Sequence, residues 1–265
     1  MAALMSAEEL VVTLAPVVVY WVYAGMYEVL LARTTVLDRY RLHSRREEET
    51  KNIASRKDVV RGVLLQQAIQ AAISVAVIKL DGHGAGADAD GPAEPFLVLA
   101  ARFGVAMLVL DAWQYFMHRL MHSVPYMYRR FHSWHHRVAA PYAYAAQYGH
   151  PVDGVLTEVL SGAAAYLASG MPPRAATAFF VFATVKGVDD HCGVATPWNP
   201  LQALFHNNSA YHDVHHQRGG GRWNFSQPFF VVWDRLLGTH APYVLRQRDG
   251  GGLEAKAFKD RQVMH

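Results

Sequence analysis

Residues 96–136 read FLVLAARFGVAMLVLDAWQYFMHRLMHSVPYMYRRFHSWHH and join a long apolar run to a dense cluster of histidines. The apolar part, residues 96–117, has the length and hydropathy of a helix that crosses a membrane. The nineteen residues that follow, 118–136, contain five histidines. The sequence therefore predicts that a membrane helix delivers a group of imidazoles to the edge of the bilayer.

Two more apolar segments precede this helix. Residues 11–31 are long enough to span about 30 Å of hydrocarbon, and they lack the basic start and cleavage pattern of a removed signal peptide. Residues 59–80 are less apolar and carry three glutamines, Gln66, Gln67 and Gln70. We expect these amides to face protein rather than lipid. The sequence thus predicts three spanning helices before the first histidine box.

Residues 155–188 form two apolar stretches around Met171-Pro172-Pro173, which predicts a helical hairpin. Each arm is shorter than a full span, so a re-entrant hairpin and two spanning helices both stay open.

Loop charges give the predicted orientation. Residues 32–62 hold nine Lys or Arg, whereas residues 80–95 hold none and carry four acids. Because basic loops stay in the cytosol, the histidines are expected to face the cytosol. The fold class predicted is all-α, a polytopic membrane helical protein with a cytosolic histidine-rich cap. Residues 1–265 form one domain, with the cap in residues 118–153 and 189–240.

Composition excludes several functions. A single cysteine, Cys192, allows no intramolecular disulfide, thiolate cluster or iron–sulfur site. The net charge of +3 is small, and the basic residues lack the interleaved aromatics of a nucleic-acid surface. Histidine is the outlier, because eleven of the fifteen lie between His118 and His216. Any metal must therefore be held by nitrogen and oxygen.

The histidines follow an HxxxH pattern once and an HxxHH pattern twice, at spacings that place side chains on one helical face. A lone HxxxH is weak evidence, but this repetition predicts three metal-binding faces. Eight imidazoles are too many for one ion, which indicates two metals. Imidazole leaves iron and zinc both open, and the membrane setting favours iron for attack on lipid C–H bonds. The box residues are His118, His122, His132, His135, His136, His212, His215 and His216.

Other polar residues flank the boxes. His191 is a further candidate ligand, whereas His150 is equally suited to ligation and to hydrogen bonding behind the ligands. Carboxylates can orient imidazoles by accepting their distal N–H groups, although capping or solvated roles fit equally well. The candidates are Asp153, Asp189, Asp190 and Asp213. The predicted non-ligands are His43, His83, His206, His240 and His265, and His43→Ala is expected to be nearly neutral.

The boxes, HRLMH, HSWHH and HDVHH, resemble those of the fatty acid hydroxylase superfamily of membrane di-iron oxygenases. Over nearly the whole chain, phrases such as FHSWHHRVAAPYAYAAQYGHPVD and FHNNSAYHDVHHQ are similar to those of plant sphingoid-base C4-hydroxylases. This resemblance implies that the eight box histidines and His191 hold two iron ions, with zinc possible in purified samples. It also implies a multi-pass enzyme of the endoplasmic reticulum membrane.

The resemblance further implies a reaction and partners. A long-chain base or ceramide, as in sphinganine to phytosphingosine, would be hydroxylated at C4 with O2 and electrons from cytochrome b5 and its reductase. Membrane lipid and a homo- or hetero-oligomer with other sphingolipid enzymes are also implied. The chain has HPVD at His150 rather than the haem-binding HPGG of fused cytochrome b5 domains, so the electron donor is expected to be separate.

Three alternatives stay open from the residues. A sterol C4-methyl oxidase, or another lipid hydroxylase of the same superfamily, would use the same boxes. A membrane metal transporter would bind ions without turnover, but it would need polar groups along the spans at mid-bilayer. A bis-histidine haem protein ranks last, because it uses only two axial ligands.

Overall fold

The computed structural model describes residues 5–81 and 94–258, and it is mostly helical, as predicted. Its three long helices are α1 (Ala7–Arg33), α3 (Arg56–Asp81) and α4 (Phe96–Ser123). Each contains a stretch long and apolar enough to cross a membrane, and these stretches coincide with the predicted segments 11–31, 59–80 and 96–117. Most of the acidic loop at 80–95, together with His83 and His265, lies outside the described residues.

Helix α1 begins at a capping box. The Ser6 hydroxyl accepts from the Glu9 N–H, and the Glu9 carboxylate accepts from the Ser6 N–H. On α3, two of the three glutamines face protein, as expected: Gln66 and Gln67 are buried. Gln67 accepts from the Trp21 indole and donates to Gln147, which ties α3 to α1 and to the cap.

The predicted hairpin is present. A short helix, α6 (Pro151–Gly154), passes through a π-helical turn (Val155–Val159) into α7 (Leu160–Ser169), which ends at Gly170 in the left-handed region. Helix α8 (Pro173–Asp190) returns. Helix α7 packs against α4, and α8 packs against α1. Among the described residues, neither arm is counted with the helices long and apolar enough to span, and the choice between a re-entrant hairpin and two spanning helices stays a prediction.

The cap consists of short elements connected by loops. After the cap, the one sheet among the described residues is an antiparallel hairpin, in which Tyr243 pairs with Ala257. The sequence analysis did not anticipate it, although the glycines at 250–252 all have the positive φ that its turn needs. The remaining helices of the described chain are α2 (Arg45–Lys51), α5 (Pro125–Arg130), α9 (Pro200–Leu204), α10 (Ser209–His216) and α11 (Val232–Leu236). The strands are β1 (Tyr243–Gln247) and β2 (Leu253–Ala257), and 3₁₀ turns lie at Asp38–Tyr40, His132–Arg137 and Ala143–Ala145.

Two buried carboxylates hold the cap in place. Asp111 bonds it to a membrane helix, and Asp234 bonds separate parts of the cap to one another. Asp111 of α4 accepts from the backbone N–H groups of Phe229 and Phe230, at 3.0 and 2.6 Å. Asp234 of α11 has no exposed surface and accepts from the backbone N–H groups of Phe225 and Ser226. The hydroxyls of Tyr211 and Thr239 also donate to it. These bonds fix the backbone around Phe225.

Replacing Asp234 with alanine leaves several buried donors unpaired, so we expect it to lower the free energy of unfolding by about 3 kcal/mol. The measurement is denaturant or thermal unfolding of the detergent-solubilised protein. Asp249→Ala, at an exposed position between the two strands, is the matched control and should leave stability unchanged. Equal stability of the two variants would contradict the framework role of Asp234.

Candidate metal centre

The three histidine boxes converge from separate elements. His118 and His122 lie on the last turns of α4, and the third box lies on α10, which begins at Asn208 with a side-chain cap. These two boxes form helical faces, as predicted. The second box is instead a 3₁₀ turn, because Phe131 leaves helical dihedrals (φ −120°, ψ −66°) and ends α5 before it.

All nine predicted ligand histidines come together, in two groups. Within each group, one nitrogen from every imidazole lies within 4.8 Å of those of the others. The five-histidine group contains His118, His122, His132, His136 and His215, and the four-histidine group contains His135, His191, His212 and His216.

Each HxxHH box contributes two histidines to one group and one histidine to the other. In the second box, His132 and His136 belong to the five-histidine group, while His135 belongs to the other. In the third box, His212 and His216 belong to the four-histidine group, while His215 crosses to the first. Each box therefore gives its i, i+4 pair to one group and its i+3 residue to the other, a division that the sequence analysis did not predict.

Backbone carbonyls fix how the imidazoles point. The Nδ1 of His118 lies 2.9 Å from the Phe225 oxygen, and the Nδ1 of His135 lies 2.8 Å from the Tyr148 oxygen. Because a carbonyl only accepts, each Nδ1 carries the hydrogen and each Nε2 keeps its lone pair. The same contact occurs from His191 to Gly187, from His215 to Trp223 and from His216 to Val138.

The free Nε2 atoms then converge. The His216 Nε2 lies 3.0 Å from the Nε2 atoms of both His135 and His212. Since neither His135 nor His216 has a hydrogen there, their contact is not a hydrogen bond, and converging lone pairs call for a cation. In the five-histidine group, the buried Nε2 atoms of His118, His132 and His215 have no partner within the described chain. Both groups fit a metal held by neutral imidazole.

Electrostatics keep these rings neutral. Burial, reinforced by neighbouring imidazoles, lowers the pKa of His135 to about 4 and the pKa values of His191 and His215 to about 3. Burial also lowers the pKa values of His136, His212 and His216 well below the usual value. At neutral pH the rings are therefore in the uncharged form that ligates metals.

The four candidate aspartates have different roles. Asp153 of α6 accepts from the His132 Nδ1 at 2.7 Å and orients that ring. Asp213 contacts His43 rather than a histidine of either group. Asp189 accepts from Tyr27 and Asn199, and Asp190 pairs with the buried Lys186. Only Asp153 among them directly contacts an imidazole of the two groups.

His150 belongs to neither group. It precedes α6, and its Nδ1 accepts from the Val152 N–H at 3.2 Å. Its ring contacts Phe131 and Trp134. In these contacts His150 caps α6 next to Asp153, and its Nδ1 hydrogen bond goes to the backbone rather than to a ligand histidine.

His43, His206 and His240 also lie outside both groups. His43 is nevertheless buried, and its Nε2 lies 2.5 Å from Asp213 Oδ1. The nearly neutral effect expected for His43→Ala on activity stays a prediction, but the contact with Asp213 spans 170 residues and could not be read from the box pattern.

A cavity of about 400 Å³ leads to the histidines. His132, His135, His191 and His212 line one part of it. Its walls come from α1, α3, α7 and α8, and are mainly apolar, with residues such as Val12, Val17, Ile73, Ala163 and Phe180. A long apolar molecule in this cavity would have carbon atoms next to both histidine groups.

Comparisons with known proteins agree with this site. A family model described as fatty acid hydroxylase matches residues 103–239. Sphinganine C4-monooxygenase 1 of Arabidopsis thaliana is 52% identical over 96% of this chain and 97% of its own. Very-long-chain aldehyde decarbonylase GL1-9 of Oryza sativa subsp. indica is 50% identical over 96% and 97%. Sphingolipid C4-hydroxylase sur2 of Schizosaccharomyces pombe is 36% identical over 86% and 87%. No solved structure matches.

A comparison of His191, which belongs to the four-histidine group, with His150, which belongs to neither group, tests the ligand assignment. We expect the purified protein to bind two metal ions per chain, and His191→Ala to lose about one during purification, because the four-histidine group then holds its ion with three imidazoles instead of four and therefore more weakly. His150→Ala should keep both. Elemental analysis of the purified variants measures this, and full metal content in His191→Ala would remove His191 from the site.

His43→Ala should lower the free energy of unfolding by about 2 kcal/mol, because Asp213 loses a buried partner, and should leave the metal content unchanged. Unfolding and elemental analysis of the same preparation give both quantities. His206→Ala, at an exposed position, is the control. Metal loss in His43→Ala as large as in His191→Ala would place His43 among the ligands.

Proposed function

This chain belongs to the fatty acid hydroxylase family, and from that premise we propose that it is a membrane-bound sphinganine C4-monooxygenase. The observation that carries the proposal is the convergence of imidazole lone pairs beside an apolar cavity. Nearly full-length similarity to proteins named for C4 oxidation of sphinganine or sphingolipid supports the substrate class.

We propose two iron ions, one held by each histidine group. Neutral imidazoles without thiolates suit iron and zinc alike, so zinc in purified samples is compatible with the same ligands. When bound, iron would supply activation of dioxygen for hydroxylation of an unactivated methylene. The nine histidines already named would hold it.

The chain's own residues prepare the site for this reaction. Backbone carbonyls keep the hydrogen on Nδ1 of five rings, and Asp153 does the same for His132. Because those acceptors are fixed, the rings do not need to reorient when metal binds. The apolar walls exclude water and hold an alkyl chain with one methylene next to the metals.

The partners and location in the proposal follow from the chemistry. A monooxygenase needs two electrons, and we propose cytochrome b5 with its reductase as their source. The three apolar helices make the chain a membrane protein. We propose that the histidines lie on the cytosolic side, on the basis of the charged loops, and that the membrane is that of the endoplasmic reticulum, on the basis of the family resemblance. We also propose that the chain forms a homo-oligomer or a hetero-oligomer with other sphingolipid enzymes.

A second candidate is an activity on very-long-chain aldehydes, favoured by the 50% identity with a protein named as a decarbonylase of them. The same metals and cavity would serve either substrate. Sterol C4-methyl oxidation is a third use of the boxes. Metal transport fits less well, because the family model is described as fatty acid hydroxylase and the relatives reported above are named for enzymatic reactions.

Lipid mass spectrometry of yeast cells that lack their own C4-hydroxylase tests the proposal. Expression of this chain should restore 4-hydroxysphinganine, and His215→Ala should reduce it at least 100-fold, because loss of one ligand disrupts the five-histidine group. His206→Ala, the exposed control, should restore it fully.

The other outcomes discriminate the candidates. If the long-chain bases are unchanged and new alkanes appear, the substrate is an aldehyde instead. If they are unchanged and the C4-methyl sterols are altered, the substrate is a sterol. Normal 4-hydroxysphinganine from well-expressed His215→Ala would contradict the metal site itself.

A further inference from the structure

The cavity contains a polar stripe within its apolar walls. On α3, Gln66 and Gln70 are one helical turn apart, and both line the cavity. Opposite them, Gly154 and Glu158 are also four residues apart, on α6 and the π-helical turn that follows it. Gln66 lies against Gly154, and Gln70 donates to Glu158. The two pairs together form the polar stripe.

Gln66 has polar atoms without partners. It is 2% exposed, and within the described chain neither its amide oxygen nor its amide nitrogen has a hydrogen-bond partner. Gly154 makes room for it, because a Cβ there would lie 2.0 Å from the Gln66 Nε2. A buried amide without a partner is costly. Its position at the cavity wall indicates that a ligand supplies the partner.

Glu158 is an acid without a basic partner. Its carboxylate accepts from the Gln70 Nε2 at 2.7 Å, and no lysine or arginine in the described residues forms an ion pair with it. Burial within apolar walls disfavours the charged form of this carboxyl group unless a cation or several donors compensate it. It lies in the π-helical turn, a local irregularity that is frequent at functional sites.

We propose that Glu158 and Gln66 bind the polar head of a long-chain base. Glu158 accepts a hydrogen bond from the ammonium group, and the Gln66 amide accepts from one hydroxyl and donates to another. This inference rests on the proposed function and names the groups that select its substrate. A charge-assisted bond from an ammonium group to a carboxylate is among the stronger polar contacts.

The position of Glu158 suits C4 chemistry. Asp153, which orients His132, is five residues before Glu158, and both line the cavity that His132 and His135 also line. In a long-chain base the nitrogen is three bonds from C4, or about 4 Å, and a hydrogen bond adds about 3 Å. An ammonium group on Glu158 therefore keeps C4 in the cavity lined by these histidines, at most about 7 Å from the carboxylate. The alkyl chain can pack against the apolar walls of α1 and α8.

This head site selects the free base. N-acylation converts the ammonium group into an uncharged amide, which gains nothing from a carboxylate and adds bulk beside it. The aldehyde and sterol alternatives also lack a cation. Glu158 therefore favours a free long-chain base over all of these ligands.

Binding to the purified, metal-loaded protein in detergent tests the inference. We expect Glu158→Gln to weaken binding of radiolabelled sphinganine by about 10-fold to 100-fold and to change binding of N-acetylsphinganine less than about 2-fold. Glu254→Gln, the same change at an exposed position of β2, should alter neither. Unchanged sphinganine affinity in Glu158→Gln, at wild-type metal content, would overturn the inference.

Gln66→Leu provides a second variant. It should weaken sphinganine binding by about 5-fold to 10-fold, but it should have a smaller effect on 1-deoxysphinganine, which lacks one hydroxyl. Equal losses for the two ligands would remove Gln66 from the head site.

Binding also separates this inference from the proposed function. Glu158-dependent binding of sphinganine without any 4-hydroxysphinganine from the yeast cells would retain the head site and reject the activity. Full production of 4-hydroxysphinganine by Glu158→Gln, with unchanged affinity, would retain the activity and reject the head site. Failure of the wild-type protein to bind sphinganine would reject the head site.

Discussion

The site depends on one hydrogen-bond constraint: the Nδ1 of most imidazoles donates to an acceptor that the fold has already fixed. The acceptors come from remote places in the chain, since His118 contacts Phe225 across 107 residues and His216 contacts Val138 across 78. Each bond is worth only about 1 kcal/mol. Together they hold the Nε2 lone pairs against one another, an arrangement that is stabilised only when a cation accepts them.

The same bonds connect the site to the cap. Asp234 holds the backbone of Phe225, whose carbonyl accepts from His118, so a carboxylate on α11 positions a ring on α4. On the other side, Asp153 connects His132 to the start of the hairpin. The membrane helices, the hairpin and the cap therefore meet at the imidazoles.

Sequence reasoning succeeded where a local rule was sufficient. Length and hydropathy predicted the three long helices, the Pro172-Pro173 break predicted the hairpin, and the box spacing selected eight of the nine converging histidines, with His191 added as a candidate outside the boxes. It failed where the partner comes from elsewhere in the chain. Spacing does not tell that His135 and His215 cross between groups, nor that His43 lies against Asp213. Glu158, an acid in the apolar stretch VLTEVLSG, was a signal that the box pattern overshadowed.

Regioselectivity gives the polar stripe its physical meaning. The methylenes of a long alkyl chain have nearly equal C–H bonds, and apolar walls allow the chain to slide, because dispersion contacts are similar at each register. A site with apolar walls alone would therefore oxidise several carbons. A polar head held at a fixed distance from the histidines removes this freedom. Asp153 and Glu158 lie on one short helical segment, so the distance between the ring-orienting carboxylate and the head-binding carboxylate is set by backbone geometry rather than by the packing of separate elements.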